Sequence, residues 1–370
     1  MTTKNTSSNF AFNIIAIIAV VFALYVLKTL LMPLLLAAIF GIMIFPVQLF
    51  LEKKWRCNRL FATIFSIVIM FGFTVILVFL IVTQLREFMD NGSEYISKIT
   101  EIYTKALSVV ERSLDVSSRD SLLKKNVGFS ELLKGNFDKI STFIFESGAI
   151  FSDFVLIPIY MFFFLYYRRF LRSFTYRLFS KKSKSYINTV IKEIYHIQQN
   201  YLVGLLKVML IVGILNTTGL LLLGIDNAIF FGFFAALLLV IPYIGVIIGA
   251  LLPALVALVT KDSYWYVFGV LALFSVIQFI EGNFITPKVT GGKVSVNAFI
   301  VIFSLIVFAM LWGVAGMVVA IPITATIKIL CDHSEEYKAF GFLIGEPENK
   351  FLKSRARSRL KKWKAIRKKR

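Results

Sequence analysis

The chain has 370 residues, 58% of them hydrophobic and only 17% charged, with 41 Lys and Arg against 21 Asp and Glu for a net charge of +20. Several apolar runs approach or exceed the ~20 residues that cross a ~30 Å hydrocarbon layer, and the polar stretches are too small to fold as a large separate catalytic domain. Two isolated cysteines, Cys57 and Cys331, exclude a disulfide framework and a cysteine metal site.

The first apolar run, residues 10–27, shows no small-x-small cleavage pattern before Lys28 and a second apolar run, so it reads as an uncleaved span. Further crossings are expected at 30–51, 60–83 and 142–167. A basic loop with Lys53, Lys54, Arg56 and Arg59 separates the second from the third. The long segment 84–141 carries nine basic and nine acidic residues. In it Ile96, Ile99, Tyr103, Ala106, Val110 and Leu114 recur at helical steps, which predicts a helical cap outside the membrane. Seven basic residues between Arg168 and Lys184 follow the fourth crossing. Ile187, Val190, Ile191, Ile194 and Ile197 then form one apolar stripe, which predicts a helix lying in the interface.

Four more crossings are expected at 202–223, 228–259, 264–280 and 298–330. Two of them, at 32 and 33 residues, exceed a simple span and contain Pro242 or Pro322. Each reads as a broken helix or a re-entrant hairpin. The expected fold is all-α, a polytopic transmembrane helical bundle of about eight spans with broken or re-entrant helices in the C-terminal half. Its expected organisation is 1–83 for the first three spans, 84–141 for the extracytoplasmic segment, and 142–186 for the fourth span and its basic loop. Residues 187–330 then form the interfacial helix and C-terminal membrane core, and 331–370 the basic tail.

The positive charge sits in loops that flank spans, where it sets orientation. It places both termini in the cytoplasm and the neutral 84–141 segment outside. Twelve of the 21 residues in 350–370 are Lys or Arg, with Leu352, Ala356, Leu360, Trp363 and Ile366 at near-helical steps. That tail is expected to lie as a basic amphipathic helix on anionic lipid. Nothing beyond charge suggests nucleic acid, so no nucleic-acid partner is expected.

Three polar or Gly/Pro-broken patches interrupt the apolar C-terminal half: Ile241-Pro242-Tyr243-Ile244-Gly245, QFIEGNFITPK from Gln278 to Lys288, and Gly313 to Pro322. A bilayer core has no water for freed backbone groups or a carboxylate, so such breaks persist only beside protein or a polar cavity. Glu281 is the leading charge, with Gln278 three residues earlier on the same helix face. Gly282, Pro287, Gly291 and Gly292 read as a sharp non-helical reversal, which Gly282 and Asn283 can start. Thr286 and Lys288 would return on its far side, and Lys288 would pair with Glu281. Pro242, Tyr243, Gly245, Gln278, Glu281, Gly282, Asn283, Pro287 and Lys288 are therefore the candidates for a transport path or gate. Gly313 and Gly316, with Pro322, are candidates for close helix packing.

Lys207 reads as a snorkelling lysine, Asp153 as interfacial, and Asp226-Asn227 as a turn and helix start. His196 and His333 lack neighbours of ligand type. There is no HExxH, no phosphate loop and no nucleophile elbow. No metal, cofactor or enzymatic activity is expected.

In the order and spacing of Ile241-Pro242-Tyr243-Ile244-Gly245, of Gln278-x-x-Glu281-Gly282-Asn283 with Thr286-Pro287-Lys288, and of Gly313-x-x-Gly316 with Pro322, the last third resembles the autoinducer-2 exporter family of bacterial membrane permeases. The earlier two thirds agree in layout and share little distinctive sequence. Val246 stands where a proline often follows the glycine, and Asn297-Ala298 where many members have His-Pro. The resemblance implies an inner-membrane secondary permease or exporter of small polar or amphipathic molecules, without ATPase domains. In some members the activity would be sodium/proton antiport, and a non-transporting membrane scaffold is a further alternative. It also implies homo-oligomeric assembly, with a pentamer as one form.

Overall fold

The computed structural model describes residues 6–90, 96–102, 104–105, 148–242, 244–290 and 296–347. The basic tail at 350–370 and most of the expected cap, including Tyr103, Ala106, Val110 and Leu114, lie outside these residues. Helices α1 (Thr6–Val26) and α2 (Lys28–Lys54) meet at the single residue Leu27, and α3 (Arg59–Asp90) follows a short basic loop. Then come α4 (Gly148–Tyr166), α5 (Arg168–Leu178), α6 (Lys184–Leu222), α7 (Ala228–Leu238) and α8 (Ile244–Thr260). Helix α9 (Trp265–Ile280) runs through a π turn (Glu281–Ile285) into α10 (Thr286–Thr290). Helices α11 (Ala298–Asp332) and α12 (Lys338–Ile344) complete the described chain. Among the described residues there is no named strand, only an isolated bridge between Val296 and Gly345.

Five described helices are, by length and composition, apolar enough to cross a membrane: Lys28–Lys54, Arg59–Gln84, Lys184–Leu222, Trp265–Val289 and Ala298–Asp332, the last of them broken at Gly313. Shorter apolar helices at Val155–Tyr166, Ala228–Leu238 and Gly245–Thr260 accompany them. Among the described residues this is a multi-pass, all-helical pattern. The chain divides into two compact units. One is drawn from Met1–Ile42, Arg169–Leu202 and Gly292–Arg370, the other from Met43–Arg168 and Val203–Gly291.

In the second unit, α7 and α8 form an antiparallel helical hairpin. At α7's 11 residues and α8's 17, they span about 16 and 25 Å, so neither arm crosses a 30 Å layer. The arms touch through small residues: a Cβ on Gly249 would meet Ala235 at 2.7 Å, and one on Gly245 would meet the Leu238 carbonyl oxygen at 1.8 Å. Helix α6 reaches the hairpin as closely, since a Cβ on Gly232 would lie 2.5 Å from the Thr217 amide nitrogen. Without side-chain bulk at the seam the backbones approach, as membrane helices require when lipid supplies no apolar driving force. Around the seam, Leu220, Phe231, Ala254, Ala257, Val270 and Phe274 make one buried cluster linking α6, both arms and α9.

The earlier helices of this unit are held by polar contacts. Buried Gln48 on α2 donates to Thr63 on α3 at 2.7 Å, and Thr63 donates to the Arg59 carbonyl at 2.8 Å. Arg168 pairs with Glu52 at 2.5 Å and lies over the Phe45 ring. Each such bond contributes about 1 kcal/mol net, more where a charge takes part.

In the first unit, α11 is two helices. Gly313 has φ 65° and ψ −145°, outside the helical region. A Cβ on Gly316 would come within 2.0 Å of the Phe308 carbonyl oxygen, although residues eight apart on a straight helix are separated by about 12 Å of rise. Asn297, just before the first arm, donates to the carbonyls of Leu343, Ile344 and Gly345, while a Cβ on Gly345 would come within 3.3 Å of the Lys328 side chain near the end of the second arm. Both ends therefore lie together, and residues 298–312 and 314–332 form a hairpin with its tip at Gly313. The expected packing role fails for Gly313, where a Cβ would meet nothing within 4 Å; its positive φ is what the reversal needs. Gly316 does mediate a close approach. Pro322 is buried in the second arm, where Gln198 of α6 donates to its carbonyl at 2.6 Å.

Candidate functional site

Helix α9 begins with Tyr264, Trp265 and Tyr266, all exposed, as in the aromatic belt at a membrane surface. Glu281 follows 16 residues after Trp265, about 24 Å along a helix that continues about 12 Å further to Val289, so it lies within the apolar stretch and not at its end. It opens the π turn, where the Thr286 amide bonds to the Glu281 carbonyl five residues back. The cause is Pro287. Its ring lacks an amide hydrogen and clashes with the carbonyl four residues earlier, so the turn before it widens by one residue instead of breaking.

This corrects the reading of Glu281 to Lys288 as a non-helical reversal. The chain continues as helix from Trp265 to Val289, and Gly282 needs no positive φ. The expected Glu281–Lys288 pair is also absent: Lys288 is exposed, and no described Lys, Arg or His pairs with Glu281. Instead the half-buried carboxylate accepts from Gln278 Nε2 at 2.7 Å on one oxygen and from Thr286 Oγ1 on the other. Asn283 and Pro287 are exposed, and Asn283 donates back to the Phe279 carbonyl at 2.8 Å.

The π turn lies level with the hairpin tip. Ile277, Ile285 and Val289 from the α9–α10 side pack in one cluster with Val208 and Val212 of α6 and with Ala236 and Leu239 where α7 ends. Residues 239–242 continue from there into the tip, with Pro242 half-buried and Tyr243 outside the described residues. Gly245 starts α8 against Leu238, where any side chain would collide. The 278–288 patch therefore packs where α7 ends and the chain leads into the 241–245 patch, and Gln278, Glu281 and Thr286 form its polar part.

Sequence reasoning missed Asn216 and Thr217 of α6. Asn216 is 2% exposed, and its Oδ1, like the Thr217 hydroxyl, is buried without a hydrogen-bond partner among the described residues. Their signal was an Asn-Thr-Thr run inside an apolar span, where polar groups mark function or packing. Lys207 is exposed, Asp226 pairs loosely with Lys261 at 3.8 Å, and Asn227 starts α7 in the left-handed conformation. Asp153 has no described side chain. Among the described residues no group of His, Cys, Asp and Glu could hold a metal ion.

Apolar helices long enough to cross a bilayer, hairpins whose arms are shorter, and a carboxylate held by neutral donors at span depth define a multi-pass membrane protein of the permease class. The AI-2E family transporter model matches residues 14–336, and the chain belongs to that family. YrrI of Bacillus subtilis (strain 168), a protein named for transport, is 31% identical over 134 residues, which are 36% of this chain and 37% of YrrI. The chain thus aligns with little more than a third of the length of the first curated relatives it matches. A transport-named protein of Haemophilus influenzae is 26% identical over 91% of this chain and 96% of its own length. The AI-2 transport protein TqsA of Escherichia coli is 26% identical over 40% of this chain and 42% of its own length.

Proposed function

We propose that the chain is a secondary permease of the bacterial inner membrane that carries small polar or amphipathic molecules outward, with both termini in the cytoplasm. The observation that carries this reading is Glu281, a carboxylate at span depth that two neutral side chains hold and no described cation neutralises, set beside a hairpin tip. A charge so placed is costly unless polar solute or water reaches it. Pro242, Gly245, Gln278, Asn283 and Lys288 belong to the same reading as path or gate residues. Homo-oligomeric assembly and lipid contacts of the 350–370 tail accompany it.

The experiment is solute flux in vesicles carrying the wild-type chain, Glu281→Gln or Glu281→Ala. Flux should fall in both variants, and unchanged flux of every solute that the wild type carries would remove Glu281 from the path. The same carboxylate, free of a cation partner among the described residues, supports a second reading as a sodium/proton antiporter. Everted vesicles distinguish the two: an antiporter gives a sodium-dependent pH change, and an uncoupled permease gives none.

A further inference from the structure

The sequence of α5 places Phe170, Leu171, Phe174 and Leu178 within about 100° of one another around the helix, and Arg169, Arg172, Ser173 and Tyr176 on the remaining arc. Arg177 borders the apolar face. None of the helix is buried, and the apolar side chains are 69%, 37%, 54% and 60% exposed in that order. The neighbouring Phe179 is also exposed.

The only side-chain hydrogen bond from α5 to another helix in its unit, among those described, leaves from the polar arc. Tyr176 donates to the Asn188 side chain at the start of α6 at 2.5 Å, and that contact turns the apolar face away from α6. The chain reaches α5 directly from an apolar helix: α4 ends at Tyr166, the backbone bends at Tyr167, and α5 begins at Arg168. With Arg168 taken by Glu52, the exposed cations are Arg169, Arg172 and Arg177, followed by Lys181, Lys182 and Lys184.

We propose that α5 lies in the membrane surface, with its four apolar side chains inserted among acyl chains and Arg169, Arg172 and Arg177 bound to anionic lipid headgroups. A helix of this composition, joined to a span by one bent residue, has its apolar face at the depth where headgroups give way to hydrocarbon. Cations at its margins reach the phosphates while their stems cover apolar surface. This site uses no residue of the 350–370 tail. It also does not depend on which solute the permease carries.

The test uses the full chain with Cys57→Ser and Cys331→Ser, reconstituted in nanodiscs of phosphatidylcholine alone or mixed with phosphatidylglycerol. A fluorophore is attached through Phe174→Cys or, as the polar-side control, Ser173→Cys. Brominated acyl chains should quench the probe at 174 severalfold more than at 173, and phosphatidylglycerol should deepen that difference. The triple change R169Q/R172Q/R177Q should abolish the response to phosphatidylglycerol. No quenching at 174, or cross-linking of 174 between copies of the chain, overturns the surface placement. Quenching that is equal in both lipids and unchanged by the triple variant overturns the anionic headgroup site. Counting phosphatidylglycerol retained by the otherwise unaltered chain and by the triple variant, in intact-mass spectra, checks the same point without the label; equal counts also overturn that site.

Discussion

The side-chain amide of Gln278 donates to Glu281 at 2.7 Å from one turn earlier on α9, while Thr286, beyond the π turn, donates to the other carboxylate oxygen. The pair fixes the carboxylate's direction. Thr286→Val keeps the side chain's shape and removes that donor. We expect flux to fall about tenfold with a stability change of about 1 kcal/mol, the scale of one hydrogen bond. Gln278→Leu should act alike. Full flux in both variants, read beside thermal unfolding of the same preparations, would mean that the carboxylate's orientation does not matter.

Gly245 tests the hairpin tip. In Gly245→Ala the new Cβ collides with the Leu238 carbonyl, a backbone atom that cannot swing aside. The expected cost is about 3 kcal/mol of overpacking, seen as a lower unfolding temperature and a lower yield in detergent. Gly282→Ala is the control, because a Cβ there meets nothing within 4 Å and the backbone is helical. It should be neutral or slightly stabilising.

Gly313→Ala probes the second hairpin by a different cause. There is room for the methyl group, but φ 65° with ψ −145° is a backbone conformation that L side chains avoid. A cost of about 1–3 kcal/mol should appear in thermal unfolding. An unchanged transition temperature would show that the tip takes another conformation.

Asn216→Leu separates a structural role from a transport role. If the buried amide only burdens the fold, an apolar replacement of similar size should raise stability by about 1 kcal/mol and leave flux intact. We expect the stability gain together with a loss of flux. Both are read from the same purified variant.

Much of this architecture was legible in the sequence. Apolar run length marked the helices, and the excess length of 228–259 and 298–330 signalled that neither could be one straight crossing. The location of the reversals was legible only in part. Pro242 marked the first tip, because a proline and a glycine together end a helix. Gly313 read as a packing residue, since a sequence does not state the sign of φ and Gly-x-x-Gly favours close approach equally well. Glu281 to Lys288 misled for the opposite reason: Pro287 can break a helix or widen one turn of it, and the apolar contacts of Ile277, Ile285 and Val289 favour the widened turn. The pairing of Gln278 and Thr286 around Glu281 depends on that extra residue of register. The amphipathic face of α5 was written in the sequence too, but its arginines were first read as loop charges that set orientation.

The short arms of the α7–α8 hairpin also change the electrostatic distance that a solute must cover. The α8 arm, 17 residues long, carries the tip about 25 Å from its base, close to the depth of Glu281 along α9. Backbone groups at that tip need polar company, which draws water or protein dipoles inward from one face. The low-dielectric barrier beside the tip is then thinner than the full ~30 Å layer. Glu281, level with the tip, stands where the shortened barrier begins.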